Sequence, residues 1–143
     1  MYTFDYQRTV PGRSPQDCFD VVTNPDLGDK WVSMANDVRA EGPEGQGRKI
    51  ISKAGLMGIN FEVEAVVDTW DEPTAYGWKG DKPFYSKFHF VFTEDGDDTR
   101  IDANVEFDPG KFFKFGTGKV AAKTFQKQFE GDLDRLVKLI QTS

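Results

Sequence analysis

From Val38 onward the apolar residues recur at every second position, in six consecutive runs separated only by short turns. The runs fall near residues 36–41, 47–53, 59–70, 74–79, 84–93 and 99–107. Pro43 and Gly45, Gly55 and Gly58, Glu72 and Pro73, Asp81 to Pro83, and Asp95 to Asp98 supply the turns; Asp95-Gly96 is a strong hairpin signal. Connections this short have no room for a crossover helix, so neighbouring strands must run antiparallel. Parity is clearest in two runs. Ile59, Phe61, Val63, Ala65 and Val67 alternate with Asn60, Glu62, Glu64 and Asp68; Ile101, Ala103, Val105 and Phe107 alternate with Arg100, Asp102, Asn104 and Glu106. One face of the sheet is therefore wet and the other covered.

The cover follows Pro109-Gly110, where the period becomes helical. Phe115, Ala122, Phe125, Phe129, Leu133, Leu136, Val137 and Ile140 fall on one side of a long helix. The stripe runs for about 25 residues, or roughly 38 Å at 1.5 Å per residue, a length suited to a strongly curved sheet. At the other end, residues 3–10 form a first strand closed by Pro11-Gly12. Ser14 is then a good N-cap, Pro15 suits the first helical position, and Asp17 completes a variant capping box; Cys18, Phe19 and Val22 turn inward. Asn24 and Pro25 repeat the signal for a second short helix that ends near Trp31. The expected class is α+β: a curved antiparallel sheet of about seven strands, two short helices after the first, and a long C-terminal helix over the sheet. With 143 residues the chain reads as one domain, large enough to fold without disulfides or a structural metal.

Composition removes several functions. Eighteen Lys and Arg against 24 Asp and Glu leave a net charge of −6, which argues against a nucleic acid partner. Cys18 is the single cysteine and His89 the single histidine, so neither a multi-thiolate zinc site nor a His pair is available, and no cofactor is expected. Residues 1–10 carry Asp5 and Arg8 without an apolar run, unlike a signal peptide, and no stretch approaches a membrane span. A cytoplasmic location is expected.

The order of strand, two short helices, six antiparallel strands and long helix resembles the helix-grip fold of the START and birch-pollen-allergen superfamily. The capped segment Ser14-Pro15-Gln16-Asp17-Cys18-Phe19, the segment from Asn24-Pro25-Asp26 to Trp31, and Trp70-Asp71-Glu72-Pro73 are similar to its polyketide cyclase/dehydrase-like branch, which includes proteins like the accessory subunit of carbon monoxide dehydrogenase. The resemblance implies a hydrophobic cavity between sheet and last helix, used across the superfamily for lipids, sterols and polyketides.

On that reading the lining comprises Phe61, Val63, Ala65, Ile101, Ala103 and Val105 in one parity, and Tyr76, Trp78, Phe88 and Phe90 in the other. Phe115, Ala122, Phe125 and Phe129 would close the top, with Trp31 and Phe112 at the rim. Two readings stand, a ligand cavity and an ordinary core that 13 Phe fill. Ser86 shares the parity of Phe84 and Phe88 and so places a hydroxyl inward, either to orient a ligand or to bond backbone. Tyr76, Trp78 and Trp31 combine an apolar body with a donor tip.

Other motifs weaken on inspection. His89 should point outward, with no local carboxylate to orient it, and Cys18 reads as a small buried hydrophobe although a helix dipole acts to lower its pKa. Asp95-Gly96-Asp97-Asp98 lacks calcium-loop spacing, and Gly116-Thr117-Gly118-Lys119 lacks the first Gly and the final Ser or Thr of a phosphate loop. Lys111, Lys114, Lys119, Lys123 and Lys127 oppose the helix macrodipole, as a solvated face or as a surface for an anionic ligand headgroup, a membrane or an acidic protein partner. Gly116 and Gly118 mark either a helix boundary or a gate around Phe112 and Phe115.

The leading expectation is thus a protein that binds or transports a small hydrophobic or amphipathic molecule. A polyketide cyclase or dehydrase is the enzymatic alternative and would need a proton-transfer group in the cavity, for which Ser86, Tyr76 or an inward Asp or Glu are the candidates. An assembly or interaction factor acting at a membrane or partner enzyme is the third.

Overall fold

The computed structural model describes residues 1–113 and 117–143. Strand β1 (Tyr2–Val10) leads into α1 (Pro15–Val22), a 3-10 turn (Pro25–Leu27) and the single helical turn α2 (Gly28–Trp31). Six strands follow: β2 (Ala35–Glu41), β3 (Lys49–Leu56), β4 (Ile59–Asp71), β5 (Ala75–Lys82), β6 (Tyr85–Asp95) and β7 (Asp98–Asp108). Helix α3 (Gly118–Thr142) completes the chain. The seven strands form one antiparallel sheet in the order β1-β7-β6-β5-β4-β3-β2, so the first strand closes the end opposite to the second.

Local chemistry sets the elements. The Ser14 hydroxyl accepts from the Asp17 amide at 3.2 Å while the Asp17 carboxylate accepts from the Ser14 amide at 3.1 Å, a reciprocal cap that opens α1. The expected second helix is shorter and tighter than an α-helix at its start, because the Asn24 side chain accepts from Asp26 and closes a 3-10 turn first. Bulges interrupt β2 between Asn36 and Arg39, β5 opposite Glu64 and Val66, and β4 between Val67 and Thr69. They bend the sheet. Gly80 is required at this bend, since a Cβ there would run into the Glu64 carbonyl oxygen.

Packing is uneven across the concave face. Helix α3 buries Ala121, Ala122, Phe125, Phe129, Leu133, Leu136 and Ile140. Its aromatic rings meet the β1–β7–β6 side directly: Phe125 stacks on Phe107 at 5.4 Å and on Phe4 at 6.1 Å, and Phe129 meets Tyr6 at 5.4 Å and Phe88 at 5.6 Å. Helix α1 seats Phe19 edge-on against Trp70 at 5.2 Å, with Tyr76 and Phe92 beside it. The short α2 and the 3-10 turn reach over toward β2, so the β2–β3–β4 side is bridged rather than filled. No described helix is long and apolar enough to cross a membrane.

Candidate ligand-binding cavity

Under that bridge lies a cavity of about 160 Å³. Its floor comes from the inward parity of β3 (Ile50, Ser52, Ala54, Leu56), β4 (Phe61, Val63), β5 (Tyr76, Trp78) and β6 (Ser86, Phe88). Phe107, Phe125 and Phe129 close one side; Val22, Thr23, Trp31, Val32, Met34 and Ala35 close the other. Small side chains at Ser52, Ala54 and Ala35 line it and project little into it. Gly28 lets α2 come down on β2, for a Cβ there would stand 3.0 Å from the Val38 side chain.

Nine of the residues expected from sequence line this cavity: Trp31, Phe61, Val63, Tyr76, Trp78, Ser86, Phe88, Phe125 and Phe129. Ala65, Phe90, Ile101, Ala103, Val105 and Ala122 have the inward parity but are packed into the core without reaching the void. For the residues of β6 and β7 the reason is lateral position, since α1 and α3 press directly on the β5–β1 side. Phe112 does not line the cavity; it is partly exposed and clusters with Phe61 at 5.2 Å and Phe84 at 5.4 Å, which do. Phe115, Lys114 and Gly116 lie outside the described residues, so the gate at Gly116 has no structural account; Gly118 is the first residue of α3. Sequence reasoning missed Met34, Ala35 and Val38 at the mouth. No periodic signal marks them, because their position depends on the bulge in β2.

The polar groups of the lining are few. Ser86 is nearly enclosed, and Tyr76 is 4% exposed; neither side chain makes a hydrogen bond within the described residues. Tyr76 is the one titratable side chain among the lining residues, and burial pushes its hydroxyl up to about 12 despite the opposing charge of Arg48. Burial also pushes the Cys18 thiol up to about 11, against the opposing hydrogen bond with Thr99. His89 is half-buried rather than free at the surface: its ring and the Asp68 carboxylate crowd Gly77, where a Cβ would lie 3.3 and 3.1 Å from them. Among the described residues no group of three His, Cys, Asp or Glu is placed to hold a metal.

The wall after α2 is held by a buried carboxylate. Asp132 of α3 is fully enclosed, accepts from the Ser33 amide at 3.2 Å and pairs with Arg135, whose Nε donates to the Trp31 carbonyl at 3.4 Å. Burial raises the Asp132 carboxyl above its ordinary 3.8, outweighing the bonds from Ser33 and the charge of Arg135. The folded protein therefore holds this proton more tightly than the unfolded chain, and stability through this group falls as pH rises from 3.8 through the raised value. Asp132→Asn, which keeps an acceptor for Ser33, should flatten that part of the stability curve in a thermal-melt series across the acid range. A slope that persists in the variant would assign the effect to another group.

A curved antiparallel sheet gripping a long C-terminal helix over an apolar cavity defines the START-like, helix-grip class of α+β proteins. The chain belongs to the polyketide cyclase/dehydrase and lipid transport family, whose model matches residues 1–141. Among solved structures it is similar to TTHA0849 from Thermus thermophilus, with a TM-score of 0.82 and 15% identity over 99% of this chain and 98% of that one. Ara h 8.0201 gives a TM-score of 0.74 and 18% identity over 99% of both chains. A START superfamily protein from Mycobacterium smegmatis gives 0.75 and 11% over 96% and 98%. At these identities the likeness is one of fold. No curated protein matches the chain.

Proposed function

We propose that this chain, acting as a single cytoplasmic domain, binds or carries a small hydrophobic or amphipathic molecule in the cavity beneath α2 and α3. The observation that carries the reading is the void itself: about 160 Å³ lined almost wholly by apolar side chains in an otherwise packed core. An engineered cavity of about 150 Å³ lined by Leu, Ile and Phe stays dry and takes up benzene, so one aromatic ring or a short chain fits without rearrangement. Drug-sized ligands occupy roughly 300–1,000 Å³, so a sterol or polycyclic polyketide would require the bridge over β2 to open.

Binding is favoured over catalysis because burial pushes the hydroxyl of Tyr76, the one titratable side chain among the described lining residues, up to about 12, away from the range in which a general base works best at neutral pH. Ser86 has no adjacent base to make it a nucleophile. The likeness to the accessory subunit of carbon monoxide dehydrogenase rests on Ser14-Pro15, Asn24-Pro25 and Trp70 to Pro73 and is proposed as lineage only. An assembly role would draw on the exposed Lys119, Lys123 and Lys127 of α3.

Indole should bind one to one and saturably, shifting the amide resonances of Ser52, Val63 and Ser86 in an NMR titration, and toluene should displace it. Burial of roughly 150–200 Å² at about 25 cal/mol per Å² gives about 4–5 kcal/mol, so the expected affinity is on the order of a millimolar or somewhat tighter. Shifts that never saturate, or that scatter over the surface, would remove the proposal.

A further inference from the structure

We propose that Arg48, in the polar groove continuous with the cavity, is a carboxylate-binding site that receives the head of a small monocarboxylic acid whose apolar body enters the cavity. This rests on the reading of the cavity as a ligand site and adds the chemical class of the ligand. The groove lies between the 3-10 turn and β2, and Asn24, Pro25 and Val38 line both it and the cavity. Arg48 stands immediately before β3, in the parity of Ile50, Ser52 and Ala54, which floor the cavity. Its carbonyl accepts from the Val67 amide of β4 at 2.8 Å, which holds the backbone in place at the start of β3.

The guanidinium lacks what the other described arginines have. Arg8, Arg39, Arg100 and Arg135 each pair with an Asp, and Arg13 donates to the Gln141 carbonyl. Among the described residues Arg48 makes no side-chain hydrogen bond or ion pair, although its Nε is buried. A buried N–H with no acceptor is destabilising, and the planar fork of Arg matches the two oxygens of a carboxylate. Asp26, Glu41 and Glu44 line the same groove, yet none closes on Arg48 within 4 Å. Their combined charge exceeds that of Arg39 and Arg48, so a dianionic phosphate or an anionic bilayer is repelled from the groove. A monoanion that pairs directly with the fork is tolerated. The Tyr76 hydroxyl, unpartnered in the cavity, lies within the field of Arg48 and offers a second donor along the same path.

Hydrocinnamate, its neutral amide hydrocinnamide, and indole test this by calorimetric or NMR titration of the full chain. The acid should bind more tightly than the amide by a factor on the order of ten to a hundred, the range for hydrogen bonds to charged groups. It should move the Arg48 Nε–H resonance, while the amide and indole leave it in place. Arg48→Met should bring the acid down to the affinity of the amide; Arg48→Lys, which keeps the charge without the fork, should fall between. Equal binding of acid and amide by the wild-type chain, or an acid preference that survives in Arg48→Met, overturns the carboxylate site while indole binding still supports the cavity. Absence of binding by all three probes overturns both. Should Arg48→Met fail to fold, an unmoved Arg48 Nε–H resonance in the wild-type chain is by itself sufficient to overturn the site.

Discussion

Val63→Trp should abolish indole binding while leaving the protein folded, and Ala122→Trp should do the reverse. Val63 lies on the interior strand β4, pairs with Ser52 across β3 and lines the cavity. An indole ring in place of its isopropyl group can occupy much of the 160 Å³ without displacing a neighbour. Trp is also well suited to a strand. Ala122 is 1% exposed and belongs to the filled part of the core, where added bulk must push α3 away from the sheet. Overpacking of that kind costs about 1–3 kcal/mol. Denaturant unfolding and indole titration on both variants separate the outcomes. If Val63→Trp retained binding and lost as much stability as Ala122→Trp, the void would not be the binding site.

Phe129→Ala should lower stability by about 3–5 kcal/mol, the range for truncating a buried aromatic to Ala. Phe129 is 1% exposed and joins four parts of the fold, with ring centroids 5.4 Å from Tyr6 of β1, 6.5 Å from Trp31 of α2, 5.6 Å from Phe88 of β6 and 5.5 Å from Phe125 one turn away. The melting temperature should fall on the order of 10 °C for a domain of this size. Because Phe129 also lines the cavity, its truncation enlarges the void, and saturating indole should restore part of the loss by mass action. Val120→Ala on the same helix is the control: at 50% exposure it should stay within about 0.5 kcal/mol of wild type. A loss below about 1 kcal/mol for Phe129→Ala would contradict the packing of α3 on the sheet.

Much of the fold was legible because the signals are local. The alternation Ile101, Ala103, Val105, Phe107 became four buried residues of β7, and the Ser14 cap opened α1 as its spacing requires. The hairpin at Asp95-Gly96 joined β6 to β7 with Asp95 opposite Asp98. Boundaries moved where turn geometry intervened: β3 starts at Lys49 rather than residue 47, since Gly47 adopts a φ of 95° and belongs to the turn. His89 is a further case. Its outward parity was readable, but its closeness to Asp68 was not, because that residue arrives from two strands away past Gly77.

The candidate site divides along the same line. Parity along a strand is a property of consecutive residues, so the sequence by itself determined which side chains face inward, and with them the seven antiparallel strands and the apolar stripe of α3. Whether an inward residue meets a helix or empty space is a property of elements far apart in the chain. Ala103 and Ser52 share an inward face, yet α3 and its neighbours fill the space above one and bridge the space above the other. The tertiary structure alone decided where the cavity lies, that Gly28 and Val38 line it, and that among the described residues no carboxylate pairs with Arg48. Each of these is a difference between what surrounding elements supply and what the space requires, a quantity that no short stretch of sequence contains.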